Sequence, residues 1–287
     1  MLVPILSKLA SESLLSLYPS IVKNIPLSLE MQVWSRFFVY IVLSIFFIDP
    51  TFIAKSTLSM DGIALAMVTL AHVYTSYKGF MILESGTAYT LFYVYPIMIL
   101  LMAGQPLHPI MGLLLVGAWL LSREEKEKDN KENGEKNKEK EKNKDQSLGY
   151  TMIFLAALTE AIIYFLVRRL KTTNNWNHVF ISYLPGAVAM TLLLTKQIRE
   201  FTIESALSLS LFANGAIGLL GYLLRFFAIS RLSPEIYAPL SYFGIVMSHV
   251  YGVVFNNDLV TWNKILGTLF IIAPNYYLYR EKGPRNQ

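Results

Sequence analysis

Apolar residues fill most of this chain in stretches close to the roughly 20 residues that a membrane-spanning helix requires. Short polar connections with helix-breaking residues separate them, as in "GQPLHP" at 104–109. The ten candidate spans lie near 2–20, 31–48, 60–77, 84–103, 107–122, 149–168, 177–195, 205–228, 234–255 and 262–279. The second and tenth are the clearest, whereas the first contains Lys8 and Glu12 and the fifth is short. The pattern predicts an all-α integral membrane protein with ten transmembrane helices.

The distribution of charge supports this fold class. Hydrophobic residues make up 54% of the chain, and the mean hydropathy is +0.43. Residues 123–145 contain nine basic and nine acidic residues, so the rest of the chain is poor in charge. This segment has no hydrophobic period, and we expect 123–148 to be a disordered linker, with transient helix or a specific binding tail as alternatives. It separates five predicted spans in 1–122 from five in 149–287.

The two halves match at an offset of 148 residues. Among the identical residues that the shift aligns are five pairs: Glu12 with Glu160, Tyr74 with Tyr222, Ser85 with Ser233, Tyr89 with Tyr237, and Ile97 with Ile245. Four of these matches are polar or aromatic, which common apolar composition does not explain. A duplicated unit of five spans has odd parity, so its second copy is inverted in the membrane. We therefore expect two inverted five-helix repeats.

The basic residues in the short loops indicate an orientation. With both termini in the cytoplasm, eight basic residues lie in the inner loops and tail and five in the outer loops. This excess favours cytoplasmic termini in a multi-pass protein of the cell or inner membrane. The linker, with its nine basic residues, argues for the opposite orientation.

Several classes of protein are disfavoured. The chain has no cysteine, which excludes disulfides, thiolate metal sites and thiol catalysis. The net charge of +5 comes from residues scattered at helix ends, which is not the pattern of a nucleic-acid-binding surface. No metal-ligand cluster, nucleophile triad or glycine-rich phosphate loop occurs in the sequence, so we expect no enzymatic activity, no metal and no cofactor.

Two stretches resemble the half-repeats of a known family. They are "ESGTAYTLFYVYPIMILLMAG" at 84–104 and "SPEIYAPLSYFGIVMSHVYGVVF" at 233–255. Both resemble the drug/metabolite transporter superfamily of the EamA type, in which a helix begins near Ser-Gly or Ser-Pro after a short turn. Pro96 and Gly244 lie where that family breaks its fourth and ninth helices. The charged linker is a departure from the family pattern.

The resemblance implies a central cavity lined by helices one, three and four of each half. The candidate substrate-binding or coupling residues are then Glu12, Tyr74, Tyr89 and Tyr93 in the first half, and Glu160, Tyr164, Asn214, Tyr222, Arg225 and Tyr237 in the second. Tyr89 and Tyr93 share a helix face that could stack a planar or cationic ligand, although an interfacial aromatic belt explains most tyrosines equally well. His72 also falls in this region, with a packing role favoured over proton relay.

The charged candidates each have a simpler alternative. Glu12 and Glu160 could couple proton movement to transport or pair with a cationic ligand. Lys8 lies one turn before Glu12, so the two could simply pair near the water boundary, which makes Glu160 the stronger candidate. Arg225 could fix a carboxylate or phosphate, but snorkelling to the cytoplasmic interface is favoured, and Arg36 is interpreted similarly.

The resemblance implies a secondary transporter that moves a small polar or amphipathic metabolite by alternating access. Its partners would be a small-molecule substrate, coupled to protons or exchanged, and membrane lipid, with no nucleic acid; the protein would be a monomer or homodimer. One alternative is an exchanger that does not use protons. The other is a non-transporting membrane scaffold that binds a partner through the charged linker.

Overall fold

The computed structural model describes residues 2–83, 85–129, 139–199, 209–256 and 261–282 of the chain. It is 84% helical, and no strand occurs within those ranges. The helices are α1 (Leu2–Leu15), α2 (Tyr18–Asn24), α3 (Leu29–Ser44), α4 (Pro50–Ser56), α5 (Met60–Ile82), α6 (Ser85–Phe92), α7 (Tyr95–Met102), α8 (Met111–Asp129), α9 (Glu139–Arg169), α10 (Asn175–Leu193), α11 (Thr195–Arg199), α12 (Leu209–Ile229), α13 (Pro234–Ser241), α14 (Phe243–Asn256) and α15 (Trp262–Lys282). Helices lie at all ten predicted spans.

Polar residues in the connections start several of these helices. The Ser28 side chain accepts a hydrogen bond from the backbone N–H of Met31 at the start of α3, and Ser59 accepts one from Gly62 in α5. Such side chains satisfy N–H groups that the first helical turn leaves unpaired.

Asp49 caps α4 and also links the two halves. Its carboxylate accepts hydrogen bonds from the hydroxyl of Thr51 and from the backbone N–H groups of Thr51 and Phe52. These donors, the Thr51 hydroxyl foremost, hold the pKa of this exposed carboxyl below its usual value. The backbone N–H of Asp49 donates to Asn177 Oδ1 on α10 at 2.8 Å, which ties this loop to the second half.

The fourth and ninth predicted spans are each broken into two helices. In the fourth, Pro96 is the second residue of α7 and lacks the N–H that would pair with the carbonyl of Phe92, the last residue of α6. In the ninth, Gly244 is the second residue of α14, directly after the break. Because α7 begins at Tyr95 and α14 at Phe243, the breaks keep the 148-residue spacing. The structure thus has both interruptions expected from the sequence.

Each predicted span of the first half packs against one of the second half. The packed pairs are α1 with α12, α3 with α10, α5 with α9, α7 with α13, and α8 with α15. If each span is replaced by its equivalent in the other half, the pair α1–α12 (spans one and eight) becomes the pair α9–α5 (spans six and three). The other three pairs already join equivalent spans, so they stay the same. The packing is therefore symmetric with respect to the halves.

Apolar side chains cover much of the outer surface, while several charges lie inside. Large apolar side chains that are at least 74% exposed are Phe46, Leu58, Met60, Leu192, Leu193 and Trp262. Charged side chains that are at most 2% exposed are Lys8, Glu12, Arg36, Glu160 and Arg225. In soluble proteins charged side chains are mostly exposed, so this distribution is the reverse of the usual one.

Length and composition alone identify few membrane spans in the described ranges. One stretch, Gln146–Arg169, is long and apolar enough to cross a membrane by itself. A second candidate counts only if Pro50–Ser56 and Met60–Ile82, which are bent by 87° relative to each other, form one span. Met111–Leu120 and Asn214–Ile229 are apolar but shorter. The other predicted spans do not meet this criterion within the described residues.

Helices extend into both ends of the charged segment. Helix α8 continues to Asp129, and α9 begins at Glu139. This agrees with the helical alternative, because glutamate and lysine, which dominate the segment, are good helix formers; a disordered linker remains a prediction. Residues 130–138 lie outside the described part of the chain, as do residues 257–260 and 283–287 near its C-terminus.

Candidate functional site

Two buried carboxylates from different halves of the chain share one guanidinium group. Arg225 on α12 places Nη1 2.6 Å from Glu160 Oε1 and Nη2 3.0 Å from Glu12 Oε1. Glu12 lies on α1 and Glu160 on α9. Snorkelling of Arg225 to the interface, which the sequence favoured, is wrong, because the side chain is only 2% exposed and forms both ion pairs.

Lys8 completes a charge-balanced group. Its ammonium nitrogen pairs with Glu12 Oε1, and it lies 3.7 Å from the centre of the Tyr237 ring. The pairing with Glu12 was anticipated, but a position near the water boundary was not observed, since both side chains are fully buried. Lys8, Glu12, Glu160 and Arg225 together form what we call the carboxylate cluster, with two formal positive and two formal negative charges.

The break in the fourth span brings two tyrosines to the same carboxylate. The Tyr93 hydroxyl donates to Glu12 Oε2 at 2.7 Å, and the Tyr95 hydroxyl donates to Glu12 Oε1 at 3.1 Å. In an unbroken helix, two residues that are two positions apart are rotated by about 200° around the helix axis, so their side chains point to nearly opposite faces. The interruption between α6 and α7 removes this restriction. Hydrogen bonds to an ionised acceptor are stronger than neutral ones, so they hold Glu12 in place.

His72 joins the carboxylate cluster to its surroundings. Its Nδ1 lies 3.0 Å from the backbone carbonyl oxygen of Ala156, and its Nε2 lies 3.1 Å from the Tyr222 hydroxyl. Because a carbonyl only accepts, Nδ1 carries the hydrogen there, and Nε2 of the neutral ring accepts from Tyr222. Nε2 is also 3.3 Å from Glu160 Oε2, an oxygen with no hydrogen-bond partner. A proton on Nε2 would therefore face a free carboxylate oxygen.

A second buried group surrounds Arg36 on α3. Its Nη1 donates to the Tyr77 hydroxyl at 3.2 Å, and its Nη2 donates to the Tyr183 hydroxyl at 3.0 Å. The guanidinium carbon lies 4.8–5.7 Å from the ring centres of five tyrosines: Tyr18, Tyr40, Tyr77, Tyr183 and Tyr222. We call these rings and Arg36 the tyrosine cage. Such rings stabilise a cation through their negative faces.

Most of the residues selected from the sequence meet at these two groups. Tyr89 lies beside Tyr93, with ring centres 5.0 Å apart. Tyr222 belongs to the cage and contacts His72, so it connects the two groups. Asn214 joins the cage, since its Oδ1 accepts from Tyr77 at 2.7 Å.

Two of the selected tyrosines lie elsewhere. Tyr74 is 39% exposed on the outer face of α5, so its expected place in the cavity is wrong: the helix turns this residue away from the core. Tyr164 contacts the Tyr237 ring at 4.9 Å, but its hydroxyl bonds to Arg168 and to the backbone of Leu232, away from the carboxylates.

Several residues of the carboxylate cluster and the tyrosine cage were not expected from the sequence. Tyr95 was not selected, nor were most of the cage residues, and a packing role was favoured for His72. Snorkelling of Arg36 to the interface, favoured as for Arg225, is wrong, because its side chain is 2% exposed. A signal existed for Arg36, which interrupts the apolar stretch "VWSRFFVY" at 33–40. For the tyrosines no signal existed, because their approach depends on tertiary packing.

A small cavity lies between the two groups. It measures about 30 Å³, and Arg36, Arg225, His72, Tyr77 and Tyr89 are among the side chains that line it. This volume holds about one or two water molecules, so a metabolite does not fit in this conformation. In the described part of the chain, no three His, Cys, Asp or Glu side chains are grouped so that they could hold a metal ion.

A comparison with models of known protein families finds a match in the second half of the chain. Residues 147–278 match the model of the EamA-like transporter family. No curated protein matches the chain. A solved structure titled "Crystal structure of protein" superposes with a TM-score of 0.67 over 98% of this chain and 97% of its own, at 15% sequence identity, so the two share a fold. The family match confirms the resemblance seen in the sequence: residues 147–278 are similar to the EamA-like transporter family, whose members are integral membrane proteins.

Proposed function

We propose that the protein is a secondary transporter that carries a small polar or amphipathic metabolite across a membrane by alternating access. The observation that carries this proposal is the sharing of Arg225 between Glu12 of the first half and Glu160 of the second. Buried charges are costly in a membrane and are maintained where a substrate or ion pathway uses them. Here they lie where helices of the two halves meet, which is where inverted-repeat transporters bind substrate.

The proposed ten-helix inverted repeat has support from the helix boundaries and packing. The helices that follow the two breaks begin 148 residues apart, at Tyr95 and Phe243, and the pairings of helices are symmetric with respect to the halves. The apolar outer surface suits a lipid environment. A multi-pass protein with cytoplasmic termini remains our prediction from the loop charges.

The small volume of the cavity bears on the mechanism. Because about 30 Å³ admits no metabolite, substrate entry requires helices around the carboxylate cluster to separate. The broken spans supply flexible points close to that cluster, since Tyr93 and Tyr95 flank the break between α6 and α7. Separation of α1 from α12 would part Glu12 from Arg225 and free these groups for a substrate or a proton.

His72 and Glu160 favour proton coupling over simple exchange. The unpartnered Glu160 oxygen lies 3.3 Å from a ring nitrogen of His72, a distance over which a proton can be shared. The scaffold alternative gains no comparable support, because none of the four residues of the carboxylate cluster belongs to the charged linker.

Reconstituted protein tests this function. Thermal unfolding of the purified full-length chain identifies binders among nucleotides, amino acids, carboxylates and sulfonium or ammonium compounds, since a ligand of the folded state raises its apparent stability. Each binder is then loaded into proteoliposomes and its counterflow is measured. We expect at least one to be exchanged across the bilayer. If no compound binds, or if binders never cross, the proposal fails.

A matched pair of variants separates proton coupling from exchange. Glu160→Gln should abolish uptake driven by a proton gradient while sparing counterflow, whereas Glu30→Gln, at an exposed position in the first turn of α3, should change neither. A proton-independent exchanger predicts that Glu160→Gln leaves uptake unchanged and that uptake stops without counter-substrate.

A further inference from the structure

Arg36 is a buried cation without an acidic partner in the described part of the chain. Its side chain is 2% exposed, and no carboxylate among the described residues lies within 4 Å of its guanidinium nitrogens. A buried charge is normally paired, because removal from water is costly without an opposite charge. Among the residues that the structure describes, the positive charge of Arg36 is therefore uncompensated.

The tyrosine cage stabilises Arg36 without neutralising it. The hydroxyls of Tyr77 and Tyr183 accept hydrogen bonds from two of the five N–H groups of the guanidinium. The ring faces contribute cation–π attraction. The Nε atom of Arg36 has no hydrogen-bond partner. Nε and its neighbouring Nη can together hold a planar oxyanion through two parallel hydrogen bonds.

Further unused donors lie in the tyrosine cage and the carboxylate cluster. The Nε atom of Arg225 and the Nδ2 atom of Asn214 also lack partners. Arg225 lines the cavity together with Arg36, and Asn214 is held in the cage because its Oδ1 accepts from Tyr77. All three of these groups are donors, so a ligand that completes them must supply acceptor oxygens; the unpartnered acceptor Glu160 Oε2 instead faces His72 Nε2.

The formal charges determine how much negative charge is required. The carboxylate cluster balances Lys8 and Arg225 against Glu12 and Glu160. Arg36 then leaves the two groups together with a net formal charge of one positive unit. A monoanion neutralises this charge, whereas a dianion would reverse it.

We infer that the substrate is a small organic monoanion whose carboxylate binds Arg36, with its flat or apolar body against the aromatic walls of the cavity. This inference rests on the proposed transport function and names its substrate class. Tyrosine and phenylalanine rings that line the cavity, among them Tyr89 and Phe92, offer faces on which such a body packs. The carboxylate enters when the cavity opens and replaces the missing partner of Arg36.

Thermal unfolding of the purified full-length protein tests the ligand class directly. Acetate, lactate, benzoate and phenylacetate are each compared with the neutral amide of the same shape, and inorganic phosphate forms a separate arm. At least one carboxylate should raise the apparent Tm saturably, while its amide should not. Equal responses to acid and amide, a response to phosphate alone, or no response to any carboxylate would overturn the inference.

Variants at Arg36 locate the binding group. Arg36→Gln should abolish the carboxylate-dependent rise in Tm, and Arg36→Lys should weaken binding about tenfold or more, because it keeps the charge but loses the two-pronged contact. Arg199→Gln, at an exposed arginine, should respond as the parent protein does. Binding by Arg36→Gln at parental strength contradicts the inference. If Arg36→Gln does not fold, the comparison of acids with amides on the parent protein still tests whether the ligand is a carboxylate.

Counterflow distinguishes this inference from the proposed function. Exchange of an amine, an amide or another non-anionic compound, without exchange of any carboxylate, would refute the anion assignment and leave transport standing. A carboxylate that binds through Arg36 but never crosses the bilayer would refute transport and leave the anion site standing.

Discussion

The Tyr93 hydroxyl lies so close to Gly244 that only glycine fits at position 244. A Cβ atom built on Gly244 would lie 1.7 Å from the Tyr93 hydroxyl oxygen and 3.0 Å from Glu12 Oε2. This approach brings the start of α14 directly against the hydrogen bond between Tyr93 and Glu12. A movement of α14 at the break in the ninth span would therefore displace the hydrogen bond between Tyr93 and Glu12.

Substitution of this glycine should disturb the cluster. We expect Gly244→Ala to displace the Tyr93 ring or α14, with a loss of about 1–3 kcal/mol in unfolding free energy, as for other overpacked interiors. Thermal unfolding in detergent measures the loss. Gly112→Ala is the control, because a Cβ at Gly112 has nothing within 4 Å. Equal stability of the two variants would show that the contact at Gly244 relaxes freely.

The Tyr93 hydroxyl should contribute to stability where the Tyr74 hydroxyl does not. Tyr93→Phe removes a donor 2.7 Å from Glu12 and should cost about 1.5–3 kcal/mol, the range for hydrogen bonds to charged groups. Tyr74→Phe changes an outward-facing residue and should stay within about 0.5 kcal/mol of the parent protein. The difference in unfolding free energy between the variants checks this, and a smaller loss for Tyr93→Phe than for Tyr74→Phe would contradict it.

Arg225 should be coupled energetically to Glu160. Arg225→Met leaves buried carboxylates without their shared partner and should cost about 3–5 kcal/mol, as is usual when one member of a buried pair is removed. Adding Glu160→Gln removes one of those stranded charges and should restore part of the loss. A double-mutant cycle in unfolding free energy measures the coupling.

The outcome that contradicts this coupling is additivity. If the double variant loses the sum of the single losses, the 2.6 Å contact between Arg225 and Glu160 is not the source of the effect. Arg199→Met, at an exposed arginine, provides the baseline for losing a guanidinium group.

The sequence predicts where the helices lie better than it predicts which side chains meet. The apolar pattern placed the helices, and the 148-residue offset paired Glu12 with Glu160 before any contact was known. The same offset paired Tyr74 with Tyr222, yet Tyr74 is 39% exposed and Tyr222 is 4% exposed. Repeat equivalence gives a residue its place on a helix, whereas burial depends on which neighbours cover that place.

Charged residues show the same limit for a different reason. Hydropathy treats Lys8, Arg36 and Arg225 alike, as interruptions of apolar stretches. Their environments differ completely: Lys8 pairs with a carboxylate one turn away, Arg225 bridges two carboxylates, and Arg36 lies among tyrosines. Only the first of these pairings is local, so it alone was accessible from sequence spacing.

The charged segment should be dispensable for transport. Neither the carboxylate cluster nor the tyrosine cage includes a residue from 124–145, and replacing that stretch with uncharged Gly/Ser residues of equal length leaves the loop-closure entropy nearly unchanged. Counterflow of the substrate by this variant should match that of the parent protein, although the helical ends at Asp129 and Glu139 are lost. A folded variant without counterflow would assign the segment a role in transport. Loss of a bound partner with transport absent in both proteins would instead favour the scaffold alternative.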